Sequence, residues 1–418
     1  MNNFFRKDPK QILDFVIISL IALLPVSLIS RSLIINILTF LIGLFFLIKV
    51  LTEKKFFFLN NKIFYALCLF WLTLLVNLAF STDFGASFLR SFGFFKFILL
   101  VFAIKYYLTL ENFKYENFIF KAWFLAFAIV SIDLIFEYIF GFNTLGYKSY
   151  MPGRLSGFLD QELKIGHFYY GFFLIGTCFF YKNYNRGLLF FISIGTFLTI
   201  LFIIGERSAF IKGFLMFFFF LLLFEKYNFY RKAIFISLIS VLITTLIFTN
   251  QNYKLRFWTQ LFNPMPNQNN LIKNLSKTSY ASHYDTAIKI FTKYPYFGSG
   301  LKTFRYESSK KIYTDKNKGQ NFNRMRWATH PHQMHLEFLS ESGIFGYLSF
   351  IIFFIYVLLL SVKNFLKFRN NYQLASMLYI FFTLAPILPS GSFFTTYAAT
   401  IFWINFAIMI SYNSQKKN

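Results

Sequence analysis

The chain has 418 residues, of which 56% are hydrophobic and only 14% are charged. A soluble globular domain carries about 25% charged residues, so the composition excludes an ordinary soluble protein. The net charge of +25 would suit a nucleic-acid-binding protein, but most of the lysines lie in short loops between apolar segments, where the positive-inside rule accounts for them. We therefore expect a protein that lies in a lipid bilayer and binds no nucleic acid.

Apolar segments long enough to cross a bilayer recur along the whole chain. The first of them follows Arg6, Lys7 and Lys10 and is too long for a cleaved signal peptide, so we interpret it as a retained signal anchor. The sequence predicts an all-α polytopic membrane protein with about twelve transmembrane helices. The predicted spans are residues 12–29, 33–50, 63–80, 92–109, 119–140, 166–181, 188–204, 209–224, 233–249, 343–361, 372–389 and 394–411.

Loops rich in Lys and Arg alternate with loops that hold few of them along this series of spans. Because cytoplasmic loops carry the excess of basic residues, the pattern predicts that both termini lie in the cytoplasm. It also places the one long polar segment outside the cytoplasm. We expect three regions, namely the first nine spans in residues 1–249, a large and partly helical loop in 250–342, and the last three spans in 343–418.

The composition of the large loop predicts its local structure. Residues 250–270 are rich in Asn, Gln and Pro and are expected to be irregular. Ser282 is a suitable cap for a helix that stops near Pro295. A glycine-rich turn and a second short helix over residues 301–311 follow. Pro331 suits the first position of a helix that leads into the tenth span.

Several ionisable residues lie inside predicted spans, where each costs about 2.5–3.5 kcal/mol near the bilayer centre. In the predicted topology all of them fall at the outer boundary, together with His167 and the helix start at Arg207. An Arg side chain beside the free N–H groups of a helix start is suited to phosphate oxygens. The alternative is structural, since such groups also snorkel to the interface or pair with one another. The residues inside the spans are Lys96, Asp133, Glu137 and Lys212.

Three of the five histidines lie close together at the end of the loop: His330, His332 and His335. With Glu337 they could form a zinc-ligand set, but Pro331 interrupts the helix and no His-Glu-x-x-His motif is present, so we expect no metal site. A structural role stays open for His330 and His335 individually. For His332 we favour general-base chemistry, since a neutral imidazole can take a proton from a hydroxyl nucleophile.

The spacing after His332 resembles a known signature. His332-Gln333, nine further residues and Gly343-x-x-Gly346 match the His-[Asn/Ser/Gln]-x9-Gly-x-x-[Gly/Thr/Tyr] pattern of the O-antigen ligase and polymerase superfamily. Twelve spans with one large loop between the ninth and the tenth also fit that family. Three further stretches are similar to family segments in the same order, and they are residues 153–166, 205–210 and 287–300.

The resemblance implies transfer of a glycan from undecaprenyl diphosphate to an acceptor hydroxyl at the periplasmic face of a bacterial inner membrane, with inversion and without metal or cofactor. His332 would be the base, and Arg207 with Arg154 or Arg256 would hold the diphosphate. Family members often carry an Arg just before the loop helix where this chain has His283, so Arg256 is the candidate for that charge. The further candidates for substrate binding are Lys96, Lys212, His283 and Glu337.

The identity of the acceptor separates two functions within the superfamily. A ligase transfers the glycan to a sugar of the lipid A core, whereas a polymerase transfers it to another lipid-linked repeat, and the spacing after His332 favours the ligase. A third alternative, a polysaccharide or lipid transporter or flippase, would explain the charges at the outer boundary as a substrate path. It predicts paired half-repeats with broken helices, and no internal repeat is evident in the sequence.

Overall fold

The structure is a computed structural model that describes residues 9–111, 113–184, 187–260, 278–386 and 388–414. Within these ranges every regular element is a helix and no strand occurs. Arg6 and Lys7, which precede the first predicted span, lie outside the described residues, and so do residues 261–270 of the segment predicted to be irregular.

The α-helices are numbered here along the chain. The first eight, α1 to α8, are Pro9–Ala22, Leu24–Leu28, Ser32–Glu53, Lys62–Ala79, Phe84–Ser91, Phe95–Thr109, Glu116–Phe140 and Ile165–Tyr184. The next four, α9 to α12, are Gly187–Ile203, Arg207–Leu223, Phe229–Thr249 and Gln251–Tyr253, and a π-helical turn over Lys254–Thr259 follows them. The last six, α13 to α18, are Ser279–Lys293, Phe304–Glu307, Gln320–Met325, Met334–Phe368, Asn371–Thr383 and Thr396–Ser411.

Six of the described helical segments are long and apolar enough to cross a membrane: α3, α4, α5 together with α6, α7, α11 and α16. Two further helices, α9 and α18, are apolar but shorter. The chain is therefore a helical membrane protein. Each of the twelve predicted spans overlaps a helix, while the number of crossings and the orientation of the chain stay predictions.

The centre of the bundle is α18, which is apolar on all sides. Almost every residue of this helix is buried, as expected for a helix that is surrounded by others. It packs against α6 and α17, and α6 in turn packs against α3, while α4 packs against α16. Aromatic rings fill these contacts: Phe70 of α4 lies 5.5 Å from Phe350 of α16 between centroids, and Trp403 of α18 meets Phe94, just before α6, edge-on at 5.3 Å.

Two predicted segments differ from the structure because of local backbone chemistry. The first predicted span is broken at Leu23, since Pro25 stands in the first turn of α2, where a missing N–H is tolerated. Residues 250–260 are helical and not irregular, because Asn250 starts α12 by accepting the N–H of Asn252 at 3.0 Å. The prediction of an irregular start to the loop is therefore wrong for the part that is described.

The loop helix α13 lies where it was predicted but starts three residues earlier. Thr278 caps it by accepting the N–H of Ala281 at 3.3 Å, so the predicted cap at Ser282 is wrong. Ser282 lies inside the helix and donates its hydroxyl to the carbonyl of Phe322 at 2.7 Å. The helix ends at Lys293, just before Pro295, as expected.

Other predicted helix boundaries in the loop and in the last spans also differ from those of the structure. Pro331 is not the first residue of a helix; Gln333 caps α16 by accepting the N–H of Leu336 at 2.7 Å. The second short helix covers only Phe304–Glu307 within the predicted 301–311. The predicted span 372–389 ends early because α17 stops at Thr383, and residues 388–395 connect it to α18 without regular structure apart from turns.

A break in α16 joins the loop to the membrane helices. Gly343 adopts φ 67° and ψ −173° inside this helix, and a Cβ there would overlap the carbonyl oxygen of Tyr296. The break frees the N–H of Ile344, which donates to the carbonyl of Pro295 at 2.8 Å. The turn after α13 therefore pairs directly with α16, and Gly343 is the point at which their backbones pack closely.

Replacing Gly343 by Ala should lower the free energy of unfolding by about 2 kcal/mol or more, because an L-residue is strained at this φ and its Cβ would meet backbone that cannot move aside. Thermal denaturation of the purified protein in detergent measures the effect. Gly319→Ala is the matched control, since a Cβ at Gly319 meets nothing within 4 Å. Equal melting temperatures for the two variants would contradict the close packing of Gly343 against the turn after α13.

Candidate functional site

Three histidine rings form a cluster where the loop meets the bundle. The ring of His332 lies 4.1 Å from that of His330 and 5.2 Å from that of His283, measured between centroids. Tyr280, one turn before His283 on α13, meets His332 edge-on at 5.7 Å. Because the cluster combines α13 with the segment that precedes α16, the docking of these two helices on one another positions it.

The backbone at His332 adopts a conformation that few side chains tolerate. Its φ is +56°, in the left-handed region. The carbonyl oxygen of His332 accepts the N–H of Ser390 at 2.9 Å, so residues 388–395 hold this histidine from the opposite side. Unusual backbone of this kind is concentrated at functional sites, which is a reason to expect a function at His332.

Burial keeps these imidazoles neutral. Desolvation, helped by the neighbouring His283, lowers the pKa of His332 to about 4. Desolvation also lowers the pKa of His330 to about 3, with smaller effects from the surrounding histidines and from Arg305. At neutral pH each ring therefore carries a nitrogen that can accept a proton.

A second group of charged residues surrounds the start of α10. Arg207 Nη1 donates to the carbonyl oxygen of Arg256 at 3.3 Å, and Arg256 Nε donates to the carbonyl of Gly205 at 3.1 Å. Arg154 lies beside them, with its Nη2 3.6 Å from Glu206 Oε2. Burial, and then Arg154 and Arg207, lower the pKa of Arg256 to about 10. The three guanidinium groups thus repel one another, which favours the binding of an anion between them.

His167 joins the histidine cluster to the arginine cluster. Its Nε2 atom lies 3.1 Å from Glu206 Oε1. A Cβ at Gly391 would lie 3.4 Å from the same nitrogen, and Gly391 follows Ser390, whose N–H holds the carbonyl of His332. The two clusters therefore lie at the same end of the bundle, with His167 between them.

A cavity opens beside His167, and its empty space, including the solvent at its mouth, is about 530 Å³. Lys212 of α10 lines it together with Ser390 and Gly391. Buried polar atoms normally have hydrogen-bond partners, so several unpartnered atoms in one place indicate a polar ligand. Around this cavity and the adjoining clusters, described buried atoms without a hydrogen-bond partner include Arg154 Nε, His283 Nδ1, Arg305 Nε, His330 Nε2 and Ser390 Oγ.

Two residues predicted to contact substrate are held in other interactions. The Glu337 carboxylate accepts the hydroxyl of Ser392 and, at 2.8 Å, the N–H of Phe393, so it anchors residues 388–395. Lys96 is separated from the arginine cluster and donates to Asn36 Oδ1. A contact of Glu337 or Lys96 with substrate stays a prediction.

Asp133 and Glu137 position the loop that carries Arg154. Asp133 accepts the N–H of Thr144 at 2.9 Å, and Glu137 accepts the N–H of Ser156 at 2.9 Å. Buried carboxylates bonded to backbone N–H groups stabilise an irregular segment that lacks its own ladder of hydrogen bonds. These contacts fit the structural alternative that the sequence left open.

Sequence reasoning missed two parts of this region. The first is residues 388–395, of which 388, 389, 394 and 395 fall in the predicted spans, although Pro386, Pro389 and Gly391 are helix-breaking residues that indicate an irregular segment. The second part is Arg305, whose Nε atom is buried without a partner and which acts electrostatically on His330. No sequence pattern distinguishes Arg305 from the other basic residues of the loop.

Metal ligation was considered from the sequence because of the clustered histidines. In the described ranges of the chain, no group of three or more His, Cys, Asp and Glu side chains could hold a metal ion. Independence from metal stays a prediction, and activity that survives dialysis against a chelator would support it.

Residues 188–351 match the family model described as O-antigen ligase. This segment of the chain is similar to the O-antigen ligase domain. It runs from α9 into α16 and contains Arg207, Arg256, His283 and His332. The resemblance inferred from the sequence motifs is therefore confirmed. The comparison with curated proteins gives no match.

The lowered pKa values predict how the stability of the protein depends on pH. His330 and His332 bind protons more weakly when folded than when unfolded, where the pKa is about 6.5. We therefore expect the free energy of unfolding to be highest above about pH 6.5 and to fall as the pH drops toward about 4. Melting temperatures of the wild type and of His332→Gln across this range test the expectation. The variant should lose less stability, and parallel curves would contradict it.

Proposed function

We propose that the protein is a glycosyltransferase of the O-antigen ligase type that moves a glycan from a lipid-linked diphosphate to an acceptor hydroxyl. The observation that carries this proposal is the joint placement of two groups at one end of the bundle. A cluster of neutral histidines around His332 and a cluster of mutually repelling arginines around Arg207 meet at His167, beside a cavity. One group can accept a proton, and the other can bind an anion.

His332 is the proposed general base. The acceptor hydroxyl loses its proton to the imidazole as its oxygen forms a bond to the anomeric carbon of the glycan, and the bond from that carbon to the diphosphate oxygen breaks. Attack on the face opposite the diphosphate inverts the anomeric centre. The negative charge leaves with the diphosphate, so the proton on His332 and the charge on the leaving group are created together.

Arg154, Arg207 and Arg256 are proposed to hold the diphosphate, and Lys212 lines the cavity beside His167. Fixed cations that face developing negative charge commonly make the largest single contribution to catalysis. Arginine is suited to this position because its planar fork binds two phosphate oxygens at once. His283 is proposed to support the His332 ring, which it stacks against with an angle of 28° between the planes.

The donor that we propose is a glycan on undecaprenyl diphosphate, and the acceptor is a sugar of the lipid A core. Both are lipids, which fits a site that lies among membrane helices.

We further propose a multi-pass protein of the bacterial inner membrane with cytoplasmic termini and a periplasmic site, on the basis of the charge distribution between loops. Residues 250–342 then form the catalytic loop between the first nine and the last three transmembrane helices. Polymerisation of lipid-linked repeats is the alternative within the family.

Replacing His332 by Ala should reduce glycan transfer by about 10²- to 10⁴-fold, the usual contribution of a general base. The measurement is conversion of a lipid-linked donor by the purified protein, with donor binding determined in parallel. His335→Gln is the matched control, because His335 Nε2 contacts the carbonyl of Leu384 at 2.7 Å and an amide can replace that donor.

Transfer that survives in His332→Ala would refute the assignment of the base, and a transporter would tolerate this change. The same variant expressed in cells distinguishes the two family functions. Long glycan that accumulates on the carrier lipid indicates a ligase, whereas a core that carries a single repeat indicates a polymerase.

Replacing Arg207 or Arg256 by Ala should lower kcat/KM for the lipid-linked donor by about 10²- to 10³-fold, because a cation that stabilises the leaving diphosphate is removed. The lysine variants of the same residues should recover part of the activity, since the charge remains but the fork is lost. Arg31→Ala is the control, since Arg31 is exposed at the start of α3. Kinetics indistinguishable from those of the control would contradict the diphosphate site.

A further inference from the structure

A second cavity lies between α5, α6 and α18, and two cations, Arg90 and Lys96, line it. Its empty space, including the solvent at its mouth, is about 340 Å³. Trp403 of α18 forms part of its wall, and the indole Nε1 of this residue is buried without a hydrogen-bond partner. The cavity therefore presents positive charge and an unused N–H donor, which is the chemistry of an anion-binding site.

This cavity is distinct from the one beside His167. In α18, Ala398, Ile401 and Phe402 line the first cavity at the spacing of one helix face, whereas Ala399 and Trp403 line the second on the neighbouring face. Phe393, just before the helix, lines both cavities and forms the partition. An occupant of the second cavity would therefore not overlap the proposed diphosphate site.

The two cations are held in place by neutral partners. Arg90 Nη1 donates to Thr396 Oγ1 at 3.0 Å, and Lys96 donates to Asn36 Oδ1. In the described part of the chain neither cation forms an ion pair, and Arg90 repels Lys96. Two half-buried charges of one sign are costly in an apolar bundle, and a bound anion removes that cost.

Other charged groups that face Arg90 do not replace such an anion. Glu337 and Glu341 attract it, and Arg305 repels it, but all three act at longer range. The carboxylate of Glu341 already accepts the N–H of Lys302 at 2.7 Å, and that of Glu337 is bonded to residues 392 and 393. Among the described residues, no carboxylate forms an ion pair with Lys96 or offsets the repulsion from Arg90.

The entrance of the cavity is apolar. Leu89 lines it and is 76% exposed, so the cavity reaches the surface at this residue. The exposed rings of Phe88 and Phe92 stack beside it, with centroids 5.6 Å apart and planes nearly parallel. A ligand that places a phosphate between the cations would therefore lay its remaining length along an apolar surface of a membrane helix.

We propose that this cavity binds the phosphate headgroup of an anionic membrane lipid. The phosphate accepts hydrogen bonds from Arg90, Lys96 and the Trp403 indole, while the acyl chains lie against Leu89 and the exposed phenylalanines. This site does not overlap the cavity beside His167, because Phe393 lies between the two cavities.

Native mass spectrometry of the full chain tests the proposal after reconstitution in nanodiscs of phosphatidylcholine, with or without phosphatidylglycerol. The wild type should retain phosphatidylglycerol on release from the disc, and Lys96→Met should retain about tenfold less, because one charge-assisted bond is lost. Arg90→Gln should show a loss of the same order. Lys105→Met is the matched control, since Lys105 lies on the same helix and lines neither cavity.

Equal retention of phosphatidylglycerol by Lys96→Met and Lys105→Met, at equal melting temperatures, would overturn the proposal. A second arm distinguishes a lipid from free phosphate. Soluble glycerol phosphate added to phosphatidylcholine nanodiscs should not bind at the concentrations that saturate the site with phosphatidylglycerol. Binding as tight as that of the lipid would overturn the assignment to a lipid headgroup.

Discussion

The contact on which the site depends is the docking of one glycine-rich turn on one break in a helix. The turn after α13 pairs its backbone with α16, and Gly300 N–H donates to the carbonyl of Glu341 at 2.9 Å. Side chains are excluded on both sides of the joint, because a Cβ at Gly298 or Gly343 would overlap the opposing backbone. The two glycine motifs of the sequence are thus halves of a single contact, and that contact sets the distance between His283 and His332.

Charges of opposite sign have different uses in this protein. The acidic residues Asp133, Glu137, Glu337 and Glu341 are all bonded to backbone N–H groups, so they hold irregular segments in place. Some of the basic residues near the cavities instead keep an unused donor or form no ion pair within the described residues: the Nε atoms of Arg154 and Arg305 have no hydrogen-bond partner, and Arg90 and Lys96 form no ion pair. A membrane protein that binds anionic lipids would need basic residues that are not fully paired with carboxylates, because a carboxylate paired with each arginine would compete with the phosphate for the same donors.

The sequence predicted the helical spans and the residues of the two clusters because both depend on local patterns. Long apolar segments indicate membrane helices. The spacing between His332 and Gly343 reflects the fixed number of residues between the histidine cluster and the break in α16. It could not predict that Glu337 anchors residues 388–395, since that role depends on a segment 55 residues away. The place of Arg305 depends in the same way on tertiary contacts that leave no trace in local composition.

The low pKa of His332 makes it a weak base in the free protein, and a weaker base accepts a proton less readily. A bound anion beside the ring would reverse this effect. Burial and the neighbouring histidine lower its pKa, and an anion nearby acts in the opposite direction. A donor diphosphate that enters the cavity beside His167 would raise the proton affinity of His332, and the charge that develops on the leaving group would raise it further. The base would therefore gain strength as the reaction proceeds, and remain neutral and inactive while the site lacks its donor.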